Sequence, residues 1–338
     1  MWRVFAVLTV VLILSGCLLT GDREEAANHY VRELASLLDT EVHFSTIPTV
    51  TALPRMRERR LDLPDLEMGV VDFLSLYGCE LQVVVGERTS VLGRVAHPGT
   101  RMEYHVRFID AARDCLPKID SEARSKTVRD AMKTKTESLP SALWNGIWAT
   151  GEIQSFFTRT GGTLPPVLDA ASFRQAQDHA ARTLAMIRKL RRGETSGRLQ
   201  RIGSVYEHWQ SQPLMGQLLR SAVALTTRLE DATALIHERL GSATTCPDDG
   251  YVYREFFRSR YVDGLAERLR FVRQQQARLV PLFRRLIDAP GVAVPEGMTR
   301  FVRHNLEPAD ADSVWYRLDA AMLRHMVTWN RLIKECAG

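Results

Sequence analysis

Leu218-Leu219-Arg220-Ser221-Ala222-Val223-Ala224-Leu225-Thr226-Thr227-Arg228-Leu229-Glu230-Asp231-Ala232-Thr233-Ala234-Leu235-Ile236-His237-Glu238-Arg239-Leu240-Gly241 decides the fold class. Leu218, Ala222, Leu225, Leu229, Ala232, Ile236 and Leu240 step by three or four, the spacing that lines one face of an α-helix. Gly241 follows as a helix stop. The same period recurs outward in both directions. Phe173, Ala176, Ala180, Leu184 and Ile187 form one stripe, and Phe257, Tyr261, Leu265, Leu269 and Val272 another, with Pro281 predicted to kink or end that helix near Val280. Trp315, Leu318, Met322, Met326, Trp329 and Ile333 mark a last helix. No stretch alternates with period two for long enough to predict a strand. Leu81–Val85 is rich in β-formers, but its flanks are helical. The reading is an all-α, multi-helix bundle.

Toward the amino end, Tyr30, Leu34, Leu37 and Leu38 predict a first helix over Arg23–Leu38. Glu41–Leu66 follows, interrupted by Pro48, Pro54 and Pro64, so it reads as an extended strap carrying the basic knot Arg55, Arg57, Arg59 and Arg60. Val70–Arg88 and Arg101–Leu116 predict a helical hairpin turned through Gly93, Pro98 and Gly99. Breaks fall at Gly161–Pro166, Gly193–Gly197, Thr244–Gly250 and Asp288–Pro295, with no internal repeat. Residues 17–68 are then an anchor, first helix and proline-rich strap, 69–160 an N-terminal helical unit, and 161–338 a C-terminal bundle.

Residues 1–16 read differently. Val4–Leu14 is apolar but shorter than the roughly 20 residues a spanning helix needs. Arg3 precedes it, and Leu14-Ser15-Gly16-Cys17 closes it as a lipobox, so 1–16 is predicted to be a secretory signal whose cleavage leaves Cys17 first. Cys17 would carry a diacylglyceryl thioether and an acylated amino group (palmitate-type chains), more than one chain being needed for firm anchoring. Leu18 follows, with no acidic residue to resemble an inner-membrane retention signal, and the expected address is the outer membrane, facing the periplasm.

Composition agrees with a globular body: 45% hydrophobic and 25% charged residues. The net charge of +5 is mild and carried almost wholly by Arg, since Lys occurs only at 118, 126, 133, 135, 189 and 334. Such a surface suits anionic headgroups or wall polymers, which Arg grips bidentately, and no nucleic-acid partner is expected in a periplasm. Besides Cys17, four cysteines remain, Cys79, Cys115, Cys246 and Cys336, an even number that in an oxidising compartment allows three pairings. Position 97 is the midpoint between Cys79 and Cys115, and residues equidistant from a hairpin turn face each other. Cys79–Cys115 is therefore predicted, and Cys246–Cys336 by elimination.

Leu66-Glu67-Met68-Gly69-Val70-Val71-Asp72-Phe73-Leu74, Cys79-Glu80-Leu81, Glu87 to Val95, Tyr104 to Phe108 and Cys115-Leu116 together resemble the domain of unknown function 3080 family. The resemblance continues through Leu139-Pro140, Leu143-Trp144 and the tryptophan-bearing last helix. It implies a proteobacterial lipoprotein and brings no catalytic residue with it.

His237-Glu238 is half of a zinc-protease motif, but the second His position is Gly241. No nucleophile elbow, phosphate loop or dinucleotide fingerprint occurs, and no cofactor or metal is implied. His325 reads as a satisfied, partly buried histidine, and Trp144 and Trp148 as core residues on one helix face. The polar group Glu87, Arg88, Thr89, Ser90, Arg94 and His97 sits at the hairpin tip, with Glu87, Arg88, Ser90 and Arg94 as candidate binding residues. A braced tip presents such groups with little ordering cost. The functional expectation is a non-enzymatic partner-binding or scaffolding protein of the envelope, meeting an envelope protein or anionic polymer. The alternative is a hydrolase or other enzyme acting on such a polymer, with Glu152 or Glu87 and a nearby His as acid–base groups.

Overall fold

The computed structural model describes residues 24–64, 78–194, 202–242, 246 and 250–336. Cys17, the segment before it and the Leu66–Leu74 block lie outside the described residues. Those that are described fold as helices and connections, without strands. In chain order the helices are α1 (Glu25–Leu38), α2 (Met56–Arg59), α3 (Glu80–Thr89), α4 (Val91–Arg94), α5 (Pro98–Cys115), α6 (Glu122–Trp148) and α7 (Gly151–Phe156). They continue with α8 (Ala170–Arg191), α9 (Ile202–Ser211), α10 (Leu214–Gly241), α11 (Tyr251–Phe256), α12 (Ala266–Asp288), α13 (Glu296–Leu306) and α14 (Val314–Glu335). A π-helical stretch, Phe257–Leu265, joins α11 to α12.

The apolar stripe at 218–240 becomes the centre of the molecule. Helix α10 packs against α14, α1 and α12, and Leu218, Ala222, Leu229, Ala232 and Ile236 are buried. Its polar flank is buried as well: Arg228 Nη1 donates to Asp231 at 2.7 Å, Arg228 Nε donates to Asn28 Oδ1 at 2.6 Å, and the Phe44 ring lies 4.7 Å from the guanidinium. A buried ion pair needs such extra partners to offset its desolvation. These contacts fasten α1 and the start of the strap to the bundle.

The strap at 40–64 is extended apart from α2. An extended segment cannot pair its own backbone, so side chains of the bundle do it. Asp231 accepts from Ser45 N, Arg159 donates to Val50 O, Asn305 donates to Thr51 O, and Asn145 both accepts from Leu61 N and donates to Leu61 O. Arg59 is fully buried rather than part of a solvated basic knot. Its Nη2 donates to Thr150 O at 3.1 Å and to Gln154 Oε1 at 2.9 Å, whereas Nε and Nη1 are buried without partners. Burial lowers its pKa to about 10.

Two cores result. The small one contains Leu81, Val84, Val85, Phe108, Ala111, Ala112, Cys115, Val128 and Ala131, contributed by α3, α5 and the first half of α6. The large one contains Met102, Val106 and Ile109 of α5, Leu139, Leu143, Trp144, Ile147 and Trp148 of α6, and buried residues of α1, the strap and α7 to α14. Trp144 and Trp148 belong to the large core, their indole N–H groups donating to Arg59 O and Leu286 O. Both disulfides have the predicted pairing: Cys79–Cys115 closes the hairpin at its base, and Cys246–Cys336 ties the end of α14 to the segment after α10.

Two helix expectations need correcting. The helix predicted over Val70–Arg88 does not pass through Gly78, whose φ is +87°, or Cys79, which is extended; α3 starts at Glu80, and residues 70–77 lie outside the described residues. Pro281 does not end its helix, which runs on to Asp288. The ring sits on the exposed face, while Leu279, Val280, Phe283, Leu286 and Ile287 are all buried around it and hold the helix in place.

Candidate functional site

The hairpin tip is built by capping chemistry. Helix α3 stops at Thr89, and Ser90 caps α4 by accepting from Gly93 N at 3.0 Å while donating to Glu87 O at 2.7 Å. Arg88 Nη1 closes the turn on Gly93 O at 3.0 Å. A Cβ at Gly93 would lie 2.2 Å from Glu87 O, so this turn needs glycine. Glu87 is engaged across the hairpin by Arg107, at 2.6 Å, and the carboxylate partners raise the pKa of that guanidinium. The candidate polar residues Glu87, Arg88 and Ser90 are therefore spent on shaping the turn. The Arg94 side chain lies outside the described residues.

What the turn presents to solvent is apolar. Val91, Leu92 and Val95 are 76%, 81% and 77% exposed. A four-residue helix cannot bury a face of its own, and α4, packed end-on against α3, leaves these side chains in solvent. Beside the tip, between hairpin and strap, opens a cleft of about 220 Å³. Met56, Leu63, Val95 and Met102 give it an apolar lining, and Arg60 and Arg101 are its charged residues.

The tip is joined to the large core through His97, which caps α5. Its Nδ1 accepts from Gly99 N at 3.1 Å, so Nε2 carries the proton and donates to Glu152 at 3.0 Å. Tyr206 stands edge-on to the ring at 5.3 Å and donates its hydroxyl to Gly146 O at 2.5 Å, in a setting whose burial raises the tyrosine pKa. The structure thus brings Glu152 to a histidine, but both ring nitrogens are committed, and neither is left to take a proton from a nucleophile. Sequence spacing offered no sign of this pair, which spans 55 residues. Glu87 meets Arg107 instead of a histidine.

Elsewhere, His325 is wholly enclosed and hydrogen-bonded. Among the described residues, no three His, Cys, Asp or Glu side chains converge to hold a metal. No described helix is long and apolar enough to cross a membrane.

A family model described as protein of unknown function (DUF3080) matches residues 27–337, nearly the whole chain. The chain belongs to that family. The match spans both cores, both disulfides and the hairpin tip, so the DUF3080 unit is the entire helical body rather than a part of it. No curated protein and no solved structure matches the chain.

Proposed function

We propose that this DUF3080 protein is a lipid-anchored component of the bacterial envelope, exposed to the periplasm from the outer membrane, and that it acts by binding a protein partner through the tip of its disulfide-braced hairpin. The observation that carries the binding role is the tip itself. Val91, Leu92 and Val95 stand in solvent on a turn fixed by Ser90, Arg88 and Gly93, next to a cleft with an apolar lining. Aliphatic residues held rigidly in solvent favour association, since covering them removes apolar area from water with little ordering to offset. The lipobox at Leu14–Cys17 and the pairing of all four remaining cysteines support the address.

Two experiments test this. With Cys17→Ala, the protein should leave the membrane fraction; retention there sinks the anchor. A photo-crosslinker placed at Leu92 in cells should give a defined adduct that Val95→Asp abolishes. The same probe at Val167, 83% exposed in the segment between α7 and α8, should not give that adduct. An identical adduct pattern at both sites would overturn the tip as the binding face.

A further inference from the structure

Helices α8 and α12 finish side by side, and a cleft of about 590 Å³ lies where they end. Arg188, Arg191, Arg192 and Arg285 line it, with Asp288 as its acidic residue. A cation near a helix C-terminus is ordinary, because the terminal carbonyls favour positive charge. Four guanidinium groups around one space exceed that, since each pair repels and two helix ends supply only partial charge to offset it.

The neighbouring carboxylates leave the excess standing. Asp288 is taken by Arg284 at 2.5 Å, from outside the cleft lining, and Arg192 is matched by Glu194 at 2.8 Å. Arg285 is held by its Nε donating to Pro281 O at 3.0 Å. Arg188 and Arg191 have no hydrogen-bond or ion-pair partner among the described residues. Arg191 is nonetheless positioned: its guanidinium lies on the turn at Gly291, φ +73°, where a Cβ would fall 2.0 Å from Nη1. Several N–H donors therefore line an open space large enough for a small anion, on side chains whose planar forks match phosphate oxygens.

We propose that this cleft is a binding site for a phosphate-bearing anion with at least two negative charges, a diphosphate or a phosphomonoester headgroup. Arg188 and Arg191 grip the anion, and Arg192 and Arg285 complete its charge. The site is independent of the hairpin tip, so either can fail without the other.

The test is calorimetric titration of the full chain with inorganic pyrophosphate, dihexanoyl phosphatidic acid and dihexanoyl phosphatidylcholine. Saturable binding of pyrophosphate should weaken with salt and fall at least about tenfold in the Arg188→Ala/Arg191→Ala double variant. The Lys double variant, which keeps charge but loses the fork, should lie between. Arg174→Ala/Arg182→Ala, exposed on the same helix, should bind as the parent does. Phosphatidic acid binding more tightly than pyrophosphate, with the same variant dependence, assigns the site to a lipid headgroup; pyrophosphate binding alone assigns it to a soluble ligand. Absence of saturable binding at millimolar pyrophosphate and phosphatidic acid overturns the proposal. So does an equal loss in the Arg174/Arg182 variant, or phosphatidylcholine binding as tightly as phosphatidic acid.

Discussion

The hydroxyl of Tyr30 and Nε2 of His325, 295 residues apart in the chain, meet at 2.7 Å inside the large core. Thr233 Oγ1 donates to Leu229 O at 2.6 Å, so at 3.0 Å from His325 Nδ1 it is the acceptor and that nitrogen carries the ring proton. Nε2 then accepts from Tyr30, whose oxygen in turn accepts from Trp329 Nε1 at 2.9 Å. The network is complete only with a neutral imidazole, and burial lowers the His325 pKa to about 3.

A depressed histidine pKa fixes the sign of a pH dependence. The native state holds the neutral ring, so its contribution is complete above the unfolded value of about 6.5 and is lost as pH falls from there toward 3. By pH 5 the loss from this residue is about 2 kcal/mol. His105, lowered to about 4 mainly by burial, acts in the same direction. His325→Gln should be less stable at pH 7 yet lose about 2 kcal/mol less between pH 7 and 5, as read by denaturant unfolding. Parallel losses in parent and variant would show that His325 is not the group responsible.

Arg59 offers a second test. Its guanidinium is buried, and among the described residues two of its nitrogens have no partner and no carboxylate pairs with it. Replacing such a charge with an apolar side chain of similar length removes the desolvation cost while filling the space. Arg59→Met should unfold within about 1 kcal/mol of the parent or above it, whereas Arg59→Ala should lose about 3 kcal/mol through the cavity it leaves. If both variants fall equally far, the hydrogen bonds to Thr150 and Gln154 outweigh desolvation.

Asn145 holds the strap by both faces of one residue, accepting from Leu61 N at 2.8 Å and donating to Leu61 O at 2.7 Å. Asn145→Ala leaves two partly buried backbone groups unmatched and should cost about 2 kcal/mol. Asn145→Asp keeps the acceptor but sets a carboxylate against the Leu61 carbonyl, and should cost at least as much. Amide exchange at Leu61 reports on this directly; unchanged protection in both variants would refute the clamp.

Helix α5 is also seated in the large core by Met102, Val106 and Ile109, so it is α3 that depends on the nine-residue small core and on Cys79–Cys115. For a bridge between cysteines 36 residues apart the loop-entropy model gives about 4 kcal/mol. In Cys79→Ser/Cys115→Ser, exchange at α3 amides should accelerate strongly while α10 amides keep their protection. Equal protection of α3 with and without the bridge would count against this division of labour.

The helical class and the disulfide pairing were legible because both rest on local rules, the 3.6-residue period and the mirror symmetry of a hairpin about its turn. The core placement of Trp144 and Trp148 followed from the same period. What escaped was decided at a distance. Arg59 looks like its neighbours Arg55, Arg57 and Arg60 until a carbonyl 91 residues away, that of Thr150, receives it. No apolar pattern marks the helix start after Gly78–Cys79, and the helix passes through Pro281 because the buried residues on both sides of it hold the turn in place. At the tip, residue type pointed to the polar side chains, yet capping consumed them and left Val91, Leu92 and Val95 outside. Their only sequence sign was a run too short to make a buried helix. The arginines at 188, 191 and 192 cluster visibly, but nothing along the chain places Arg285 beside them.

Helix α1 rests on α10 and reaches α14 through Tyr30 and His325, so the earliest part of the described chain is seated against the latest. Delivered amino end first, whether from a ribosome or through a translocation channel, the polypeptide has no seat for α1 until α10, about two hundred residues further on, has emerged. An apolar face on α1 must meanwhile wait uncovered. That interval lengthens the exposure of α1 to misassociation, and a circular permutant that begins at α10 would shorten it.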